Sequence, residues 1–274
     1  MSFLHLKNGL REIFNNYDAF LIDIWGVLHN GVSLNSGAIE VLDNLRKNNK
    51  KFVLITNAPR PKKSVSKFLT KLNLNKIYYQ NIFTSGDAAL NSLKTNLHGK
   101  SFFHLGPKRD MDLFYEFKDK RRDTIDLAEF ILCTGLFDDN ENDLSYYKNL
   151  LKKKINKKMV CTNPDLFVNR GIKKEYCAGS IAKIFEEMEG KVIYYGKPYP
   201  EIYESCIQDE QKILVIGDNL NTDIKGANNM FYDSLFIKKG IHLDEFKNLK
   251  EEDFDKILNK YKVKINYYQN HLFW

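Results

Sequence analysis

Two short apolar runs in this chain each end on an aspartate, and that repetition constrains the fold more than any other feature. Phe20-Leu21-Ile22-Asp23 leads into Ile24-Trp25-Gly26-Val27, and Ile213-Leu214-Val215-Ile216-Gly217-Asp218 leads into Asn219-Leu220-Asn221-Thr222-Asp223. An unbroken apolar run of strand length marks a strand buried on both faces. A carboxylate at its C-terminal end is where an open parallel α/β sheet places its chemistry. Leu54-Ile55-Thr56-Asn57-Ala58 is another strand finishing on polar groups, and Gly196-Lys197-Pro198 sets a lysine in a turn. Together these residues outline a phosphate and metal site.

The rest of the chain alternates strand and helix, the pattern of a parallel sheet with crossover helices. Residues 17–25, 51–56 and 81–85 read as strands. Residues 38–48 read as a helix. Pro61 opens another, with Val65, Phe68, Leu69 and Leu72 on one face at a 3.6-residue period. The texture then changes: strand-like runs at 101–106, 130–135 and 158–162 are spaced widely enough to carry helices of their own, as in a second α/β unit. A helix at 180–188 and a strand at 191–195 read as the return to the first unit. A helix near 201–207, a strand at 213–216, a helix after Thr222 and a strand at 234–237 complete it. Residues 1–16 alternate apolar and charged positions in helical fashion and lack the apolar block of a secretory signal.

These motifs resemble the haloacid dehalogenase superfamily of aspartyl-phosphate hydrolases, and within it the class IIA subgroup, over about residues 20–240. All four superfamily motifs stand in order at Asp23, Thr56, Lys197 and Asp218. The resemblance implies a doubly wound, Rossmann-like α/β core formed by residues 1–87 and 180–274, with an α/β cap inserted at 88–179. It implies Mg²⁺ as cofactor, a small phosphorylated metabolite as substrate, and Asp23 as the nucleophile that splits one displacement into two. Asp23, Asp218 and the backbone carbonyl of Trp25 would hold the metal, with Asp223 as an outer acceptor for its waters. Thr56 and the backbone N–H groups of Asn57 and Ala58 would hold phosphate oxygens. Lys197 would offset charge on the phosphoryl group and on Asp23. Asn163-Pro164-Asp165 resembles a loop of the subgroup's cap and also reads as a plain Asn-Pro turn; Asn163, Asp165 and Asn219 are further candidates.

One position departs from the pattern. The family's phosphatases carry Asp-x-Asp-Gly where this chain has Asp23-Ile24-Trp25-Gly26. The absent second aspartate serves the family as general acid and base, a contribution of roughly 10²- to 10⁴-fold that indole cannot make. The superfamily's dehalogenases carry Tyr there, but they do not depend on a metal, and the paired carboxylates here favour phosphoryl chemistry. Three consequences stay open. Turnover persists for leaving groups that need no proton, such as acyl, aryl or anhydride phosphates; or His29, in the following loop, substitutes; or catalysis is lost and the fold binds a phosphorylated ligand or a protein partner.

Composition bounds the remaining readings. With 274 residues and 43% hydrophobic content the chain can bury a sizeable core, and no run approaches the roughly 20 apolar residues of a membrane helix. A cytoplasmic protein without a membrane partner is expected. Cys133, Cys161, Cys177 and Cys206 lack metal-like spacing and read as reduced structural thiols. The net charge of +7 invites a nucleic-acid reading, but the lysines are interspersed with Asn and acidic residues as on solvated helix faces, so nucleic acid is not favoured. A homo-oligomer is left open.

Overall fold

The computed structural model describes residues 3–170 and 173–274. Its strands are, in chain order, β1 (Leu4–His5), β2 (Ala19–Asp23), β3 (Lys51–Thr56) and β4 (Ile82–Thr84). Then come β5 (Phe102–Leu105), β6 (Arg121–Arg122), β7 (Phe130–Cys133), β8 (Lys158–Cys161), β9 (Phe167–Arg170), β10 (Lys173–Tyr176) and β11 (Lys191–Tyr194). The last are β12 (Ile213–Gly217), β13 (Asp233–Ile237) and β14 (Tyr267–Gln269). The chain divides into two compact units. One comprises Met1–Thr56, Lys67–Phe83 and Lys197–Trp274; the other comprises Asn57–Ser66 and Thr84–Gly196.

The first unit is built on a seven-stranded sheet in the order β1-β14-β13-β12-β2-β3-β4, with parallel pairing from β1 through β3. It is the expected doubly wound α/β core. The strand order reverses between β2 and β12, the kind of switch point at which open α/β sheets bind ligands. Register fixes what meets there: Ile22 pairs with Ile216 and Asp23 with Ile55. Asp23, Thr56 and Asp218 therefore stand at the same edge of three adjacent strands. The strands are buried because their apolar residues serve both sides of the sheet. Ala19, Leu21 and Val215 join a cluster with Ile202, Tyr203 and Cys206, while Phe236 joins another with Leu220, Phe246 and Phe254.

The second unit carries a parallel five-stranded sheet, β11-β8-β7-β5-β6, and an antiparallel pair of strands, β9 and β10. Here the sequence expectation needs correction. The helix and strand expected to resume the core belong to this unit. Lys191 of β11 pairs with Lys158 and Tyr194 with Cys161, and helix Ala178–Glu187 buries Ala178, Ile181, Ala182 and Phe185 against Cys133, Met159 and Cys161. An apolar strand is equally at home in either parallel sheet, so periodicity could not assign it.

The N-terminal segment also departs from the helical reading. Within it, β1 pairs with β14, and two short 3₁₀ turns follow, Leu10–Glu12 and Phe14–Asn16. Gly9, at φ 97°, interrupts any continuous helix there. The first two residues of that expected helix lie outside the described residues. Among the described residues no helix is long and apolar enough to cross a membrane.

Candidate active site

Asp23 is the last residue of β2, and its carboxylate is buried. Lys197, only 2% exposed, donates from its ammonium to Asp23 Oδ1 and, at 2.6 Å, to Asp223 Oδ1. Asp218 directly follows β12, and its Oδ2 accepts from the Ile241 backbone N–H at 2.7 Å. Asp223 lies in a π-helical turn, Leu220–Ile224, and its Oδ2 accepts from Asn219 N–H at 3.1 Å. Carboxylate oxygens of Asp23, Asp218 and Asp223 lie within 4.8 Å of one another.

That crowding is built by glycines. Gly26 sits at φ 94°, a region costly to side-chain-bearing residues, and a Cβ there would collide with the Asp218 carboxylate. A Cβ at Gly240 would strike the same carboxylate. Both glycines thus let backbone close around one acid.

Burial raises the Asp23 pKa above the usual carboxylate range, and Asp223 and Asp218 push it the same way against the pull of Lys197. For Lys197, burial acts to strip the charge, but Asp223 and Asp23 together outweigh it and hold the ammonium protonated. Three buried carboxylates against one ammonium leave an excess of negative charge, which a cation would offset. The donors are all oxygen, so the hard ion Mg²⁺ fits this set.

Thr56 closes β3, and Asn57 and Ala58 follow it. Asn57 Nδ2 donates to Asp165 Oδ1 at 3.2 Å, and Asn163 Oδ1 accepts from Asp165 N–H at 3.0 Å. The Ala58 carbonyl accepts from Ser85 Oγ at 2.9 Å and from Gly86 N–H at 3.1 Å. The Asn163-Pro164-Asp165 turn therefore meets Asn57 within the second unit, and Gly196 and Gly179 both lie against Pro164 too closely for a Cβ. Asn219 acts locally, its Oδ1 accepting from Asn221 N–H at 2.9 Å to open the π-helical turn.

Trp25 and His29 form an aromatic group with Phe68. The indole stacks on Phe68 at 6.4 Å between ring centroids and meets His29 edge-on at 4.9 Å. His29 lies in the loop after β2 but is buried against these rings and is not exposed to solvent. Its Nδ1 accepts from Gly31 N–H at 2.9 Å, and burial lowers its pKa to about 4. It is a neutral ring at pH 7, poorly suited to protonate a leaving group. The four thiols are buried, and burial raises the pKa of Cys133 and of Cys206 to about 12, which disfavours a nucleophilic cysteine. Two features escaped the sequence reading: the Gly240-Ile241 approach to Asp218, and His242 beside it. Neither has a signature in residue type or spacing.

A family model described as haloacid dehalogenase-like hydrolase matches residues 20–118, and a second, HAD-hydrolase-like, matches 194–262. A solved structure of a hydrolase of the haloacid dehalogenase-like family from Brucella suis is similar at 29% identity and a TM-score of 0.82, covering 96% of this chain and 98% of that one. Phosphoglycolate phosphatase 2 of Arabidopsis thaliana is 23% identical over 86% of this chain and 87% of its own length. Acid sugar phosphatase of Staphylococcus haemolyticus is 22% identical over 87% and 90%. The first model contains Asp23 and the second contains Lys197, Asp218 and Asp223, so the two meet the chain at the two halves of its carboxylate cluster, and the protein belongs to the haloacid dehalogenase-like hydrolases.

Proposed function

We propose that the protein is a Mg²⁺-dependent phosphoric monoester hydrolase that acts on a small phosphorylated metabolite through an aspartyl-phosphate on Asp23. The observation that carries this reading is the buried arrangement of Asp23 and Asp223 on one lysine, with Asp218 beside them. An Asp23 carboxylate oxygen attacks phosphorus, the P–O bond to the leaving group breaks, and water then releases phosphate and restores the carboxylate. Lys197 holds Asp23 in place and offsets the charge of the transferred group. Asp218, Asp23 and the Trp25 carbonyl would hold Mg²⁺, with Asp223 supporting from outside. The ion would neutralise charge on the phosphoryl oxygens. Thr56 and the N–H groups of Asn57 and Ala58 are proposed to bind phosphate oxygens, and the family resemblance assigns substrate selection to the second unit.

The names of the curated relatives, a phosphoglycolate phosphatase and an acid sugar phosphatase, support a small metabolite as substrate. A cytoplasmic setting fits four free buried thiols. With indole at position 25 and a neutral His29, we expect activated phosphates to be hydrolysed best.

The test is Mg²⁺-dependent phosphate release by wild type and Asp23→Asn from para-nitrophenyl phosphate, acetyl phosphate and an alkyl sugar phosphate. Release from the activated substrates that vanishes in the variant supports the aspartyl-phosphate route. Equal release from the sugar phosphate means another group supplies the proton. No release above the variant from any substrate rejects general phosphatase activity in favour of ligand binding without turnover.

A further inference from the structure

The segment that follows β13 touches the 218–223 loop twice. Ile241 N–H donates to the Asp218 carboxylate, and one residue further on the imidazole of His242 receives the Leu220 N–H at Nε2, 3.1 Å away. His242 is buried. A backbone N–H can only donate, so Nε2 carries no proton and Nδ1 must bear one. The Nδ1–H points to Glu245 Oε1 at 2.8 Å. Glu245 is itself held: Oε1 also accepts from Tyr261 OH at 2.7 Å and Oε2 from Lys260 at 3.0 Å. Burial raises the Glu245 pKa, yet the hydrogen bonds from His242, Tyr261 and Lys260 prevail and leave it at about 2. The imidazole also packs edge-on against the Tyr261 ring at 4.9 Å between centroids.

We propose that His242 is a positioning residue for the metal site, fixing the backbone immediately after Asp218 through Leu220 and being fixed in turn by Glu245 and Tyr261. The inference rests on the Mg²⁺ reading above. Its physical basis is that a carboxylate ligand binds a small octahedral ion well only if the backbone carrying it is held, and Leu220 is two residues from Asp218. The chain Tyr261–Glu245–His242–Leu220 ties that backbone to the helix Phe254–Tyr261, whose residues Phe254 and Leu258 are buried in the core. Glutamine at position 242 could present an amide oxygen to Leu220 and an amide N–H to Glu245; phenylalanine keeps the ring but can do neither.

Mg²⁺ affinity measured by titration calorimetry on the full chain decides the matter, using wild type, His242→Phe, His242→Gln and Glu245→Leu. Removing outer partners of this kind weakens metal binding by roughly 10- to 100-fold, so His242→Phe is expected to lose at least about tenfold. His242→Gln should recover most of it, and the KM for para-nitrophenyl phosphate at saturating Mg²⁺ should change by less than about twofold. A folded His242→Phe protein with wild-type Mg²⁺ affinity overturns the inference. If that variant does not fold, Glu245→Leu, which leaves Nδ1–H and Tyr261 OH without their acceptor, decides: weaker Mg²⁺ binding supports the relay and unchanged binding overturns it. A wild type that binds no Mg²⁺ instead overturns the metal reading itself, and the inference with it.

Discussion

Lys197 and Asp23, 174 positions apart in sequence, form a buried ion pair, and the same ammonium holds Asp223. The arrangement is at once structural and chemical. Without the lysine, two acids that the fold forces together would lose their nearest counter-charge.

Lys197→Met should therefore destabilise the metal-free protein by about 3–5 kcal/mol, the usual cost of leaving a buried charge without its partner, and should abolish phosphate release. Adding Asp223→Asn should recover part of the stability but none of the activity. Urea unfolding in the presence of a chelator measures the first effect. A single variant as stable as wild type would contradict the charge-compensation account.

Gly26→Ala tests the backbone around Asp218. The substitution places a Cβ against that carboxylate at φ 94°, so strain and collision should together cost about 1–3 kcal/mol. The Mg²⁺-induced rise in melting temperature should shrink with it, as read by thermal melts with and without the ion. Retention of the full Mg²⁺ shift would show that the approach of Gly26 to Asp218 is dispensable.

The pH dependence follows from His29. Its folded pKa of about 4 lies below the ordinary 6.5, so the folded state resists protonation while the unfolded chain accepts it. The stability contribution is full above pH 6.5 and is lost as pH falls from there toward 4. Between pH 7 and pH 5 this one group should cost the fold roughly 2 kcal/mol. His29→Phe, which keeps a ring beside Trp25 and Phe68, should flatten the decline in the urea midpoint by that share. An unchanged decline would place the pH sensitivity elsewhere.

Trp25→Asp introduces a carboxylic acid at the position where the family's phosphatases have one. If leaving-group protonation limits alkyl phosphates, the ratio of sugar phosphate to para-nitrophenyl phosphate turnover should rise by at least about tenfold, out of the 10²- to 10⁴-fold that such catalysis can supply. Some stability should be lost with the Trp25–Phe68 stack. A constant ratio would mean that the proton comes from another source.

The core strands were legible because burial on both faces leaves a continuous apolar run. Residues 51–56 were expected as a strand and form β3, and 213–216 fall within β12. The end-of-strand acids were legible for the same reason, since a charge terminating such a run has few structural uses. The antiparallel pair of β9 and β10 was not, because Phe167-Val168-Asn169-Arg170 has too mixed a pattern to stand out. The burial of His29 was not legible, because a histidine between turn residues carries no mark of the Trp25 and Phe68 rings that enclose it.

The α/β class, the order of the motifs and the residue types available for chemistry follow from the amino acids alone, because they depend on local apolar pattern and on which groups can ionise. The rest was settled by the three-dimensional arrangement. The strands of the two parallel sheets look alike in one dimension, so register alone sends β11 to pair with β8. Proximity between distant residues, Lys197 to both acids and Leu220 to His242, depends on how crossovers and loops close, which no local pattern encodes.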